Sequence, residues 1–221
     1  MSKNERVPDA VARRLPGYYR NLRELETEGV TRISSGALGE RMGLTASQIR
    51  QDINCFGGFG QHGYGYHVPR LKCLIGQILG IDSPHRMVIA GAGNIGMAVA
   101  HYASFRKEGF TVEAMFDANP AAVDPAASPP VLPVSALAGF LAEHPQDIVV
   151  VATPARSAQD IVDAAAAARV PAVWNFAPAN LTAPDWMEVA NVHLSDSLMG
   201  LSFRMHERAV RAAEDGAWTR E

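Results

Sequence analysis

At 221 residues the chain has room for one large domain or two modest ones, and too little for a full-size dehydrogenase with separate nucleotide and substrate domains. A hydrophobic share of 48%, no apolar run near the ~18 residues of a membrane span, a start lacking a secretion signal's apolar core, and two cysteines, Cys55 and Cys73, in neither a disulfide nor a metal-ligand pattern lead us to expect a globular cytoplasmic protein. The net charge of −3 hides an asymmetry: residues 1–80 hold 11 Lys and Arg against 7 Asp and Glu, and residues 81–221 hold 9 against 16, so only the front part suits a polyanion.

Apolar residues Val11, Leu15, Tyr18, Tyr19, Leu22 and Leu25 recur at three- and four-residue spacing and predict a helix over 9–28, kinked or divided at Pro16 and closed at Gly29. Ser34-Ser35 starts a short helix over 36–42 that ends at Gly43, and Thr45 starts a third, with Thr45-Ala46-Ser47-Gln48 in capping-box form. On that third helix Ala46, Ile49, Ile53 and Phe56 share one face, while Ser47, Arg50, Gln51 and Asn54 share the opposite one. Two short helices around a tight turn, the second presenting a row of hydrogen-bonding side chains, describe a helix-turn-helix, although the same row also fits a solvated face. Arg50 can meet a guanine edge or a phosphate, and Asn54 or Gln51 an adenine. Cys55, beside this face, reads as a small semi-buried hydrophobe rather than a thiol sensor.

Residues 57–67 are dense in glycine and aromatic residues, which suits the hairpin wing of a winged helix, with Gln61, His62 and Tyr64 at its tip. Val68-Pro69 closes the wing, 70–79 reads as an amphipathic helix and 80–85 as a linker.

The second half alternates strands and helices, which predicts an α/β domain with a doubly wound parallel sheet. An apolar strand over 87–90 runs into Gly91, Gly93 and Gly96, a G-x-G-x-x-G turn leading into a helix over 94–105. In such a turn the first glycine makes the bend, the second admits a pyrophosphate, and the third permits close helix–strand packing. The next strand, 110–116, ends on Asp117, 21 residues after Gly96, where a carboxylate can accept from a ribose hydroxyl. Residues 118–133 read as loop, 135–143 as helix, 147–152 as a buried strand with Thr153-Pro154 at its carboxyl end, 157–169 as helix, 172–175 as strand, 187–194 as the last strand, and 195–214 as a terminal helix with Leu198, Leu201, Met205 and Val210 on its apolar side. His101, His144, His193 and His206 are scattered, and none is paired with a carboxylate at a strand end, so a nucleotide site without a catalytic set points to sensing rather than turnover.

Over residues 7–203 the chain resembles the Rex family of redox-sensing transcriptional repressors. The resemblance rests on Arg14-Leu15-Pro16-Gly17-Tyr18-Tyr19-Arg20, Arg32-Ile33-Ser34-Ser35, Gln48-Ile49-Arg50, Phe56-Gly57 with Gly63 and Gly65-Tyr66, the Gly91–Gly96 turn, Phe116-Asp117, Thr153-Pro154, and Asn175-Phe176-Ala177-Pro178. It implies a non-enzymatic, homodimeric DNA-binding repressor with a winged-helix domain over 1–80, a Rossmann NAD(H) domain over 81–194, and an exchanged dimerisation helix over 195–221. NADH would release the operator and NAD⁺ would leave the protein competent to bind it. The implied NAD(H) contacts are Gly91, Ala92, Gly93, Asn94, Ile95, Gly96, Asp117, Thr153, Pro154 and residues 175–178, with no metal, and the implied switch positions are Arg20, Tyr102 and His193. Three positions depart from the family pattern: Gln51 stands for lysine, Gln61-His62 for basic wing residues, and His193 for an aspartate. The expected consequences are a shallow salt dependence of DNA binding and a weak NADH response. The alternatives are a small NAD-dependent oxidoreductase, or a diverged regulator whose nucleotide site is only structural.

Overall fold

The structure, a computed structural model, describes residues 7–57, 65–120 and 126–214. It divides into two compact units, Met1–Pro84 and His85–Glu221.

In the first unit the opening helical pattern is divided, as Pro16 demands: α1 spans Asp9–Ala12, and α2 spans Leu15–Thr27 with Pro16 in its first turn, where no backbone N–H is missed. Strand β1 (Arg32–Ile33) leads into α3 (Ser35–Met42), whose first turn is capped by the Ser34 hydroxyl accepting from Ala37 N. Helix α4 (Ala46–Asn54) starts at Thr45, whose Oγ1 accepts from Gln48 N. Only this half of the capping box forms, because the Gln48 amide donates to Asp52 instead of returning to the cap. The turn between α3 and α4 is tight enough that a Cβ on Gly39 would meet the Leu44 carbonyl oxygen at 2.5 Å.

Strand β2 (Tyr66–His67) pairs antiparallel with β1. Helix α5 (Val68–Leu79) then begins earlier than the sequence suggests: His67 caps it through Nδ1, and Pro69 sits inside its first turn rather than ending an extended segment. Leu15, Tyr18, Leu22, Leu38, Ile49, Ile53, Leu71 and Ile75 form one core across α2–α5.

The second unit is a six-stranded parallel sheet of order β5-β4-β3-β6-β7-β8. Its strands are β3 (His85–Ala90), β4 (Phe110–Asp117), β5 (Val131–Pro133), β6 (Ile148–Val151), β7 (Ala172–Asn175) and β8 (Glu188–Asn191). Outward growth in both directions from the β3–β6 centre is the doubly wound arrangement expected. Three local readings are corrected. The helix over 94–105 is broken into α6 (Asn94–Ala100) and α7 (Ala103–Lys107) by the extended backbone of Tyr102, and α7 carries Phe105 edge-on against Phe110 and Trp174. The supposed loop 118–133 ends in β5, three residues paired beside Met115–Asp117 and too short to show a period in sequence. The last strand is only four residues long, and Leu194 already belongs to the terminal helix α10 (Leu194–Glu214).

A 3₁₀ turn over Val134–Ala136 enters α8 (Leu137–Glu143), and α9 (Ala155–Ala167) packs with α8 over one face of the sheet. On the other face Phe105, Phe110 and Trp174 gather beside α6 and α7. Among the described residues no helix is long and apolar enough to cross a membrane.

Candidate functional site

In the first unit α4 is the candidate reading element. Ile49 and Ile53 are buried, while Ser47, Arg50, Gln51 and Asn54 are all exposed on the far side. Arg50 Nη1 donates to Ser35 Oγ at 3.1 Å, so the first residue of α3 restrains the guanidinium. Cys55 is exposed rather than semi-buried, because it falls just past the helix end, where its Sγ donates to the Gln51 carbonyl. Gln61, His62 and Tyr64 lie outside the described residues.

Asp52 is the residue the sequence reading overlooked. It is 1% exposed, on the same side of α4 as Ile49 and Ile53. Arg14 donates to it through Nε and Nη2, both at 2.7 Å, Tyr18 OH at 2.8 Å, and Gln48 Nε2 at 3.0 Å. Burial opposes the charge, yet the hydrogen bonds from Arg14, Gln48 and Tyr18 outweigh it and hold the carboxyl below its ordinary range. The same cluster raises the pKa of its two titratable donors: Arg14 mainly through its hydrogen bond to Asp52, Tyr18 mainly through burial and then through that carboxylate. A charged residue interrupting an aliphatic stripe was the available signal.

In the second unit the predicted nucleotide residues converge on the carboxyl edge of the sheet. Ala90 at the end of β3 lies in register with Phe116 on one side and Val151 on the other, and Val151 with Asn175. The glycine turn, Asp117, Thr153-Pro154 and the turn after Asn175 are therefore neighbours. Gly91 has φ +102°, and a Cβ there would meet the Ala152 oxygen at 2.4 Å. A Cβ on Gly96 would meet the Gly91 oxygen at 1.9 Å. Gly93 differs from both: nothing lies within 4 Å of the position a Cβ would take, so the protein's own packing does not require a glycine there.

Asp117 braces this loop, its Oδ2 accepting from Ala92 N at 2.7 Å and its Oδ1 from Asn119 N at 2.8 Å. Each oxygen keeps a lone pair for a hydroxyl. Asn94 and Ile95 are exposed at the start of α6. Thr153 Oγ1 is buried with no hydrogen-bond partner, an orphan acceptor and donor at the strand end.

Two of the predicted ligand residues turn inward. Asn175 is fully buried, its Nδ2 donating to Asn191 Oδ1 and the Ala179 oxygen and its Oδ1 accepting from Ala177 N, so it shapes the turn from within. Ala177 is 2% exposed, which leaves Phe176, packed on Trp174, and exposed Pro178 as the accessible part. Of the implied switch positions, Arg20 is exposed on α2, Tyr102 is 57% exposed against Phe105, and His193 is exposed just before α10, its carbonyl accepting from Asp196 N.

A helix-turn-helix unit joined to a parallel sheet with a glycine-rich turn defines a nucleotide-responsive DNA-binding regulator as a class. The comparisons agree. Residues 6–54 match the family model described as putative DNA-binding protein N-terminus, and residues 82–179 match the CoA binding domain model. The redox-sensing transcriptional repressor Rex of Clostridium beijerinckii is 45% identical over 208 residues, 94% of this chain and 99% of that protein. Rex of Thermoanaerobacter pseudethanolicus is 46% identical over 95% of this chain and 94% of its own. Among solved structures, RSP in complex with β-NAD⁺ and operator DNA superposes with a TM-score of 0.85 at 44% identity, covering 98% of this chain and 100% of that one. RSP in complex with β-NADH gives 0.84 at 42% identity, covering 96% and 99%. The chain belongs to the Rex family of redox-sensing transcriptional repressors.

Proposed function

We propose that the protein is a cytoplasmic, homodimeric repressor that binds operator DNA through α4 and releases it when NADH occupies the glycine-rich edge of the sheet. The observation that carries this reading is Gly93: two glycines of the turn are demanded by the fold, and the one between them is left to a ligand. The residues fit a dinucleotide. Gly91 to Gly96 offer backbone to a pyrophosphate, Asp117 accepts from the adenosine ribose, and Thr153 Oγ1 has an unmet hydrogen bond at the same edge. Pro154, Phe176 and Pro178 would flank the ligand, with Asn175 and Ala177 holding their turn.

Asp117 also bears on which nucleotide enters. A carboxylate braced by two backbone N–H groups favours a free ribose hydroxyl and repels a phosphate beside it, so NADH is the ligand rather than NADPH or CoA. On the DNA side Ser47, Arg50, Gln51 and Asn54 meet the major groove, with Gln61, His62 and Tyr64 on the backbone. The domains are 1–80, 81–194 and 195–221.

The dimer reading rests on α10. Leu198 is 67% exposed and Phe203 and Met205 63% each, and no residue of α10 joins the hydrophobic clusters of its own unit. An apolar cavity of about 380 Å³, lined by Met87, Phe105, Phe110, Ile148, Trp174 and Val189, opens in the same unit. A second copy's α10 matches such an unfilled apolar surface in chemistry.

The test is a gel-shift series on the chain's own promoter with NADH, NAD⁺ and NADPH titrated separately. Release by NADH at roughly tenfold or more lower concentration than by NADPH is expected, from one charge-assisted hydrogen bond to Asp117. Coincident curves would sink the role of Asp117, and no DNA binding would sink the repressor. With His193 in place of the family aspartate, this switch position carries no carboxylate, and His193→Asp should sharpen release.

A further inference from the structure

We propose that Asp52 is the positioning residue that sets the rotation of the reading helix, acting through Arg14 and Tyr18. The inference rests on the DNA-binding reading of α4. That helix has nine residues, and its fully buried apolar contacts are Ile49 and Ile53 alone. Aliphatic contacts are non-directional, so they set how deep a short helix lies and leave its rotation loosely specified. Rotation is what a reading helix needs fixed. A turn of about 20° carries a side-chain tip about 6 Å from the axis through about 2 Å. That displacement exceeds the whole tolerance of a hydrogen bond, whose heavy-atom distances span about 2.7–3.2 Å.

A bidentate pair is directional. Arg14 presents Nε and Nη2 to the two oxygens of Asp52 in a planar fork, both at 2.7 Å, and Tyr18 and Gln48 fill remaining acceptor positions. Arg14 precedes α2, 38 residues away in sequence, so the fork ties α4 to the start of the unit and not to its neighbour α3. Arg50 and Gln51 immediately precede Asp52, so the rotation it fixes aims both side chains from the helix, while Ser35 restrains only the tip of Arg50. A buried ion pair is commonly no more stabilising than apolar residues of similar volume, which leaves specificity as what it supplies.

The test uses the full-length protein and a duplex that the wild-type chain selects from a randomised pool, with a scrambled duplex as the non-specific control. Asp52→Asn keeps the size of the side chain and removes the charge. Its affinity for the selected duplex is expected to fall by about tenfold or more, with the scrambled duplex within about twofold and fluorescence titration of NADH unchanged. Equal losses on both duplexes indicate a merely structural residue and overturn the inference, as does an unchanged ratio. If Asp52→Asn gives no folded protein, Tyr18→Phe decides, since it removes one hydrogen bond and keeps the ring. A fall in the specific-to-scrambled ratio supports the inference, and an unaltered ratio overturns it. A wild-type chain that selects no duplex overturns the DNA-binding reading itself, a result distinct from an Asp52→Asn that matches wild type.

Discussion

In Met1–Pro84 the functional helix is held by a buried carboxylate that accepts four hydrogen bonds, whereas in His85–Glu221 the functional loop, braced at one point by Asp117, is shaped by two glycines pressed against carbonyl oxygens. The first device is polar, directional and titratable. The second is chiefly steric, and a single added carbon defeats it. The comparison teaches that the two elements should fail under different insults, acid for one and a methyl group for the other.

The largest expected effect is at Asp52. Removing one partner of a buried pair costs about 3–5 kcal/mol, so Asp52→Ala should lower the unfolding free energy of the first unit by about that amount at pH 7, read from urea unfolding. Its pH dependence has a definite sign. The folded carboxyl lies below its ordinary value of about 4, so its stabilisation is complete above that value and is lost as pH falls through the folded one. Wild type should therefore lose stability more steeply than Asp52→Asn on acidification below about pH 4, read by circular dichroism in urea. Parallel slopes would break the contrast between the units.

Next in size is the glycine pair. Gly96→Ala forces a Cβ to within 1.9 Å of the Gly91 oxygen and should cost about 3 kcal/mol, at the upper end for overpacking, with loss of NADH binding. Gly93→Ala should melt within about 0.5 kcal/mol of wild type and still bind NADH at least tenfold more weakly. Equal melting points for the two variants would show that the turn is not divided between fold and ligand. The smallest effect is at Gln51. Gln51→Lys adds one cation to an exposed position and should steepen the salt dependence of DNA affinity by about 0.9 log units per log unit of salt, if the new ammonium meets a phosphate.

Much of this arrangement was legible in the sequence. Periodicity located α2, α4, α5 and the aliphatic strands, and glycine spacing located the turn, because those signals depend on residues close in the chain. What escaped depends on distant partners. Strand β5 exists because β4 offers it an edge, and Phe105 of α7 finds its partner in Trp174, far along the sequence. Asp52 shows in the sequence only as a charge within an aliphatic stripe, because its partner Arg14 lies 38 positions earlier. Asn175 and Ala177 are buried at the sheet edge, which the motif does not report, since it gives where the chain passes and not which atoms point inward. Even Gly93, read correctly as a glycine of the motif, differs from Gly91 and Gly96 only through what surrounds it.

The exposed apolar side of α10 has a consequence for heredity. A 21-residue helix is about 31 Å long, and it lies apart in sequence from the helix-turn-helix by well over a hundred residues. On the dimer proposed above, a subunit whose α4 can no longer read DNA would still carry an intact α10 with which to engage a sound partner. Since a dimeric repressor needs both reading helices, one for each half-site, such an allele should be dominant over wild type when the two are co-expressed. Removing α10 from the defective copy should make the same lesion recessive.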